Sequence, residues 1–244
     1  MNHYDMIFKR KSFHIFRETE TLNKEEIEGI EQYIQTLTPL QKDIAYTIRL
    51  VREEKTSCKR GAEYCILFYS ERKEGYLQNI GYIGEQLDLY LTSKSIGTLW
   101  FGIGKPDIEI ENQEYIIMIA IAKMAENKFR KDMFKAKRKS LEEIWKGEPT
   151  NFSNIIRFAP SACNSQPWIV EHKNHELFVY RYKKPGKRGI MPVQKVSYYN
   201  RIDIGIFLYF LEICLEHEKI SYQRELFADS QEEECVLVAK YQMK

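Results

Sequence analysis

Four short segments carry residue types that could do chemistry. Ala159-Pro160-Ser161-Ala162-Cys163-Asn164-Ser165-Gln166-Pro167-Trp168 combines two prolines with short hydroxyl and amide side chains and a closing aromatic. Proline fixes φ and removes a donor, while Ser and Asn favour turns and offer hydrogen bonds. Such a stretch holds a stiff backbone against a planar polar ligand. Arg10-Lys11-Ser12-Phe13-His14-Ile15-Phe16 sets two cations beside a hydroxyl. Guanidinium and ammonium groups bind phosphate through charge-assisted hydrogen bonds, although a short basic cluster is also what a solvated surface carries. Ser95-Ile96-Gly97-Thr98-Leu99-Trp100-Phe101-Gly102 follows a long amphipathic stretch, where Gly97 also reads as a plain helix stop leading into a loop. Arg138-Lys139-Ser140-Leu141-Glu142-Glu143 sits in a charged stretch, where Arg138 is otherwise a surface residue.

Together these segments resemble the nitroreductase family. The first follows its flavin-contact pattern APSAxNxQPW through Pro160, Ser161, Ala162, Asn164 and Gln166. The N-terminal segment is similar to RRSxRxF, whose basic and hydroxyl groups hold the flavin phosphate and ribityl chain. Arg10, Lys11, Ser12 and Phe16 fit it, and His14 replaces the usual Arg or Lys, which implies a charge there that depends on pH. The third segment resembles GLGTxWxG, and the resemblance implies that Thr98, Leu99, Trp100 and Gly102 bring backbone groups close to flavin N5 and O4. The fourth is similar to the RKPLEE close, with Ser140 in place of proline, and implies Arg138 at the flavin phosphate.

What the resemblance implies is an FMN-dependent oxidoreductase. NADH or NADPH would donate a hydride to flavin N5, and an electron-poor small molecule, nitroaromatic or quinone-like, would then take it by ping-pong. No side chain need be catalytic in such a scheme. Two alternatives stay open: a flavin-binding protein with little turnover, serving storage or sensing, and another reaction on this scaffold, such as dehalogenation or flavin breakdown. The order of the segments departs from the family, because the APSAxNxQPW match comes after the RKPLEE match. Two shortened nitroreductase-like halves, 1–147 and 148–244, packed as an intrachain pseudo-dimer would explain that order. One flavin per chain, and a monomer in preference to an obligate homodimer, are then expected.

A formal charge of +2 and a pI near 8.1 argue against a nucleic-acid partner. Cys58, Cys65, Cys163, Cys214 and Cys235 are scattered without CxxC spacing, as free thiols of a reducing compartment would be, and no histidine has metal-ligand spacing. The most apolar run, Tyr115–Ala122, is too short to cross a bilayer as a helix, and no signal peptide is visible; the expected location is the cytoplasm. Neither a GxGxxG fingerprint nor a P-loop appears, so the nicotinamide donor is expected to bind transiently and not in a Rossmann site.

Elements must position these segments. Ile27, Ile30, Ile34 and Leu37 recur at helical spacing over Lys24–Leu37, with Asn23 at the N-cap and Glu25 and Glu26 in the first turn. Glu63–Tyr69 reads as a strand, Gly75–Ser95 as a second helix ended by Gly97, and Ile116–Ala122 as a strand buried on both faces. Trp168–Lys173 and Glu176–Tyr182 read as a hairpin across Asn174, with Trp168 as a core anchor. A helical stripe follows from Ile204 to Leu215, and then a strand at Cys235–Tyr241. Some helix is expected near Leu141–Trp145. The basic stretch Tyr182–Tyr199, with Lys183, Lys184, Lys187 and Arg188, reads as a mobile cover or a solvated loop. Strand, helix, strand thus occurs twice, and the fold class is α+β, mainly antiparallel strands flanked by helices.

Overall fold

Asn23 Oδ1 accepts from the Glu26 backbone N–H at 2.9 Å, and Glu26 Oε2 accepts from the Asn23 N–H at 2.9 Å. This reciprocal cap starts α2 (Lys24–Ile34), the helix expected there, at its expected residue. The computed structural model describes residues 2–182, 191–229 and 234–244. The chain divides into two compact units, Met1–Met133 and Phe134–Lys244.

The first unit runs α1 (His3–Lys9), α2, β1 (Tyr46–Arg52), β2 (Tyr64–Ser70), α3 (Tyr76–Ser93), β3 (Ile96–Phe101) and β4 (Glu114–Lys123). Its sheet is antiparallel throughout, in the order β1-β2-β4-β3. β2 is buried at every position, as its unbroken apolar run requires, and α3 is buried from Leu77 to Thr92. A helix so covered should be apolar all round, yet α3 also buries Gln78, Asn79, Glu85, Gln86 and Asp88. Those polar groups need partners.

The second unit runs α4 (Leu141–Ile144), β5 (Trp145–Lys146), α5 (Ser153–Ile156), β6 (Trp168–Lys173), β7 (Glu176–Tyr182), α6 (Val193–His217), β8 (Tyr222–Leu226) and β9 (Cys235–Met243). The sheet order is β5-β6-β7-β9-β8, antiparallel apart from the parallel pair β5–β6. Asn174 and His175 both have positive φ, 50° and 61°, which is the turn a two-residue hairpin needs. Trp168 is buried and stacks on Phe207 of α6 with ring centroids 4.8 Å apart.

The two units share one topology. In each, a hairpin is followed by a long buried helix and a second hairpin whose last strand inserts beside the first, giving β1-β2-β4-β3 and β6-β7-β9-β8. Each also carries a β-bulge at the same joint. Register shifts between Phe68 and Tyr69 against β4, and between Val179 and Tyr180 against β9, with Ile116 and Val238 as the extra residues.

The division falls ahead of the expected 147/148, because residues 137–146 bond to the second unit's own turn and strand. β3 occupies what was read as a loop, and α1, β1 and β8 were not expected at all. Of the stretch 182–199, residues 183–190 lie outside the described residues, and Val193–Tyr199 form the first turns of α6. Among the described residues no helix is long and apolar enough to cross a membrane.

Candidate functional site

Residues 85 and 88 lie three apart on α3 and so share one face. Asp88 is fully buried and accepts three hydrogen bonds. Arg10 Nε and Trp100 Nε1 donate to Oδ2 at 2.7 and 2.9 Å, and Thr98 Oγ1 donates to Oδ1 at 2.6 Å. Glu85 Oε1 lies 3.7 Å from Arg10 Nε. Burial first, and then the charge of Asp88, push the Glu85 carboxyl well above the usual carboxylate range, against the pull of Arg10. The neutral form of Glu85 is thereby favoured, while Asp88 bonds Arg10 directly. Burial works against the Arg10 charge, but Asp88 and Glu85 outweigh it and raise its pKa.

Three sequence-predicted cofactor residues thus meet on a carboxylate that was not singled out. Arg10 itself is only 4% exposed, with Nη2 unpartnered. The exposed part of the predicted cradle lies elsewhere.

Ser12 and Thr98 form a parallel bridge, and the Phe13 N–H donates to the Thr98 carbonyl at 2.9 Å. The N-terminal segment and the segment containing Thr98 are therefore neighbours. Gly97 permits this: a Cβ there would stand 2.7 Å from Met124 Cγ and 2.8 Å from the Phe13 ring. The close approach that glycine allows serves the N-terminal strand. Gly97→Ala is accordingly expected to cost about 1–3 kcal/mol by overpacking, measurable as a lower urea midpoint with an unchanged m-value. Leu99 is buried, and Gly102 follows β3 half-buried.

Lys11 and Ser12 are half-buried and His14 is exposed. Burial, then the charges of Arg130 and Lys128, lower the Lys11 pKa; burial, then the charge of Arg10, lower that of Arg130. Arg130 is fixed by its N–H to the Lys9 carbonyl at 3.0 Å, next to the edge-to-face pair Phe13–Phe129. Lys9 is paired with Glu126 and Lys128 with Glu18, each at 2.6 Å. Among the described residues Lys11 and Arg130 have no carboxylate within ion-pair distance. Positive charge held against its own repulsion beside a hydroxyl is an arrangement that an anion relieves. Arg130 was missed because it lies in a charged stretch with no motif.

In the second unit the turn Ser161–Gln166 is built on left-handed residues, with φ of 50° at Cys163, 56° at Asn164 and 48° at Gln166. Ser161 Oγ accepts from the Gln166 N–H at 3.0 Å. Arg138 Nη1 donates to Asn164 Oδ1 at 2.7 Å and Nη2 to the Phe158 carbonyl at 3.2 Å; Asn164 Nδ2 donates to the Lys137 carbonyl at 3.1 Å. The Lys139 N–H donates to Gln166 Oε1 at 2.8 Å, and its Nζ to the Gln166 carbonyl at 2.7 Å. The Ala159–Trp168 and Arg138–Glu143 segments therefore grip each other. Gln166 and Pro160 are buried, Ser161 and Ala162 half-buried, and Asn164 is exposed. Ser140 departs from the family's proline, and its N–H donates to Glu143 Oε2 at 2.9 Å at the start of α4, a bond that proline lacks. Below the turn, Asp203 of α6 accepts from the Ala162 N–H at 2.9 Å and from Ser165 Oγ at 3.3 Å.

A protein family described as "Putative TM nitroreductase" matches residues 2–214. The chain belongs to this nitroreductase family. The solved structure of a Thermotoga maritima MSB8 protein described as a "putative nitroreductase" superposes with a TM-score of 0.63 at 20% identity, covering 100% of this chain and 94% of that one. The nitroreductase-like α+β fold is thereby shown. A Desulfovibrio desulfuricans protein of the same description, with FMN bound, gives 0.44 at 15% identity over 62% of this chain and 98% of that one. An NADH oxidase of Clostridium acetobutylicum, similarly described, gives 0.42 at 18% identity over 57% and 97%. A comparison with curated proteins found no match. Nitroreductase membership supports an oxidoreductase.

Proposed function

We propose that this nitroreductase-family chain is an FMN-dependent NAD(P)H oxidoreductase. The observation that carries the reading is the cation pair Lys11 and Arg130, which has no carboxylate partner among the described residues, with Ser12 next to Lys11 in the chain. The residues present fit FMN: Lys11, Arg130 and Ser12 match a phosphate dianion, and the preformed turn at Ser161–Gln166 matches the edge of a planar ring. Arg10 and Asp88 fix the segment that bears Lys11 and Ser12, together with Thr98 and Trp100 of β3. Arg138 and Lys139 lock Asn164 and Gln166 before any ligand arrives. FMN held by these residues would supply hydride transfer between NADH or NADPH and an electron-poor acceptor, one after the other at the same site.

The repeated sheet order and the matching bulges support an internal duplication, halves of one ancestral unit that now carry different segments. Titration of apo-protein is expected to saturate at about one FMN per chain, since only one unit has the basic segment. Saturation at two would refute the single-site reading. Anaerobic mixing of the yellow protein with NADPH or NADH is expected to bleach the flavin band. Persistent colour with both donors would leave a flavin binder with little turnover.

A further inference from the structure

We propose that Asp203 on α6 is the positioning residue of the flavin-framing turn, holding Ser161–Gln166 in its ligand-ready shape through two hydrogen bonds. The inference rests on the FMN reading above and goes beyond it. Oδ1 accepts from the Ala162 N–H at 2.9 Å and Oδ2 from Ser165 Oγ at 3.3 Å, and Asp203 is 2% exposed. Between these two anchors stand left-handed Cys163 and Asn164, a backbone that L-residues hold only when the surroundings impose it.

The first unit provides an internal control. Its segment entering β1, Thr38-Pro39-Leu40-Gln41, is the topological counterpart of Ala159-Pro160-Ser161-Ala162 entering β6. It too is tied to its long helix: the Gln41 N–H donates to Asn79 Oδ1 at 3.0 Å, and Asn79 is fully buried. A neutral amide therefore suffices to anchor such a segment. The carboxyl in the second unit adds a proton that can leave.

Burial pushes the Asp203 carboxyl up to about 8, against the Ala162 and Ser165 hydrogen bonds that favour its charged form. Among the described residues, the other titratable groups of the packed elements have partners of their own. Arg201 and Arg181 pair with Asp229 at 3.3 and 2.7 Å, Tyr199 faces Cys163, and Arg157 bonds Asn154 and the Lys139 carbonyl. Burial and not the two bonds raises the Asp203 pKa, and releasing the turn would hydrate the carboxyl and return it toward the free value, so closure of the turn is strongest below the free-aspartate range. It weakens by up to about tenfold per pH unit as pH rises toward 8, then levels off.

The test uses the full chain as wild type, Asp203→Asn and Asp203→Ala, from pH 6 to 9. Amide exchange at Ala162–Gln166 of the apo-protein is compared at each pH, and FMN affinity is measured by fluorescence quenching. The expected result is that wild-type protection falls about tenfold or more between pH 6 and 8 relative to Asp203→Asn. The wild-type FMN dissociation constant should rise over the same window, while Asp203→Asn retains tight binding and Asp203→Ala loses it. Parallel pH profiles for wild type and Asp203→Asn would overturn the inference and leave Asp203 as packing. Normal exchange differences without FMN binding by wild type would instead overturn the FMN reading itself, and the flavin role of Asp203 with it.

Discussion

Asp88→Ala is expected to lower the stability of the first unit by about 3–5 kcal/mol, because it strands a buried guanidinium together with two orphaned donors. Urea unfolding followed by Trp100 fluorescence and by exchange in α3 would measure it. The neighbouring Glu85 makes the conservative variant more informative. In Asp88→Asn the like charge that adds to burial in raising the Glu85 pKa is gone, which favours ionised Glu85 paired with Arg10 across 3.7 Å. The loss should then be smaller, and Asp88→Asn combined with Glu85→Gln should cost more than the sum of the two single changes. Linkage sets a pH signature. The Glu85 pKa is raised on folding, so its favourable contribution is complete below the unfolded carboxylate range and is lost as pH climbs through the raised value. That slope should be shallower in Asp88→Asn. An unchanged slope would mean that burial alone, without the Asp88 charge, sets the protonation of Glu85.

Lys11→Ala and Arg130→Ala are expected to weaken FMN by about 10- to 150-fold each, the loss of one charge-assisted hydrogen bond of about 1.5–3 kcal/mol. Riboflavin, which lacks the phosphate, should bind both variants as it binds wild type. The salt dependence of FMN affinity should also flatten in each variant, since the lost contact is ionic. Equal losses for FMN and riboflavin would place these cations away from the phosphate. Arg138→Ala provides the contrast: its guanidinium is engaged with Asn164 and the Phe158 carbonyl, so its removal should disturb FMN and riboflavin alike.

Where the chain is strongly periodic, its elements were legible. α3, β4, the β6–β7 hairpin and α6 follow from apolar spacing and from Asn174 at a tight turn. β1 and β8 were not, because YTIRLVR and YQREL are edge strands, half-exposed and interrupted by charge. β3 was hidden by Gly97, which reads as a stop but serves as room for Phe13. For the candidate site, the structure sorts the four segments into two bonded pairs, one in each unit. The partners that hold them, Asp88 and Asp203, were invisible because a buried carboxylate in a helix has no spacing signature; only the distant residues it meets reveal its use.

A matched anchor built with an amide in one half and an acid in the other has an evolutionary corollary. In a symmetric dimer one codon change alters both ends of the molecule at once. Here Asn79 and Asp203 are separate loci, so selection can tune the two halves independently, and so can a directed-evolution library.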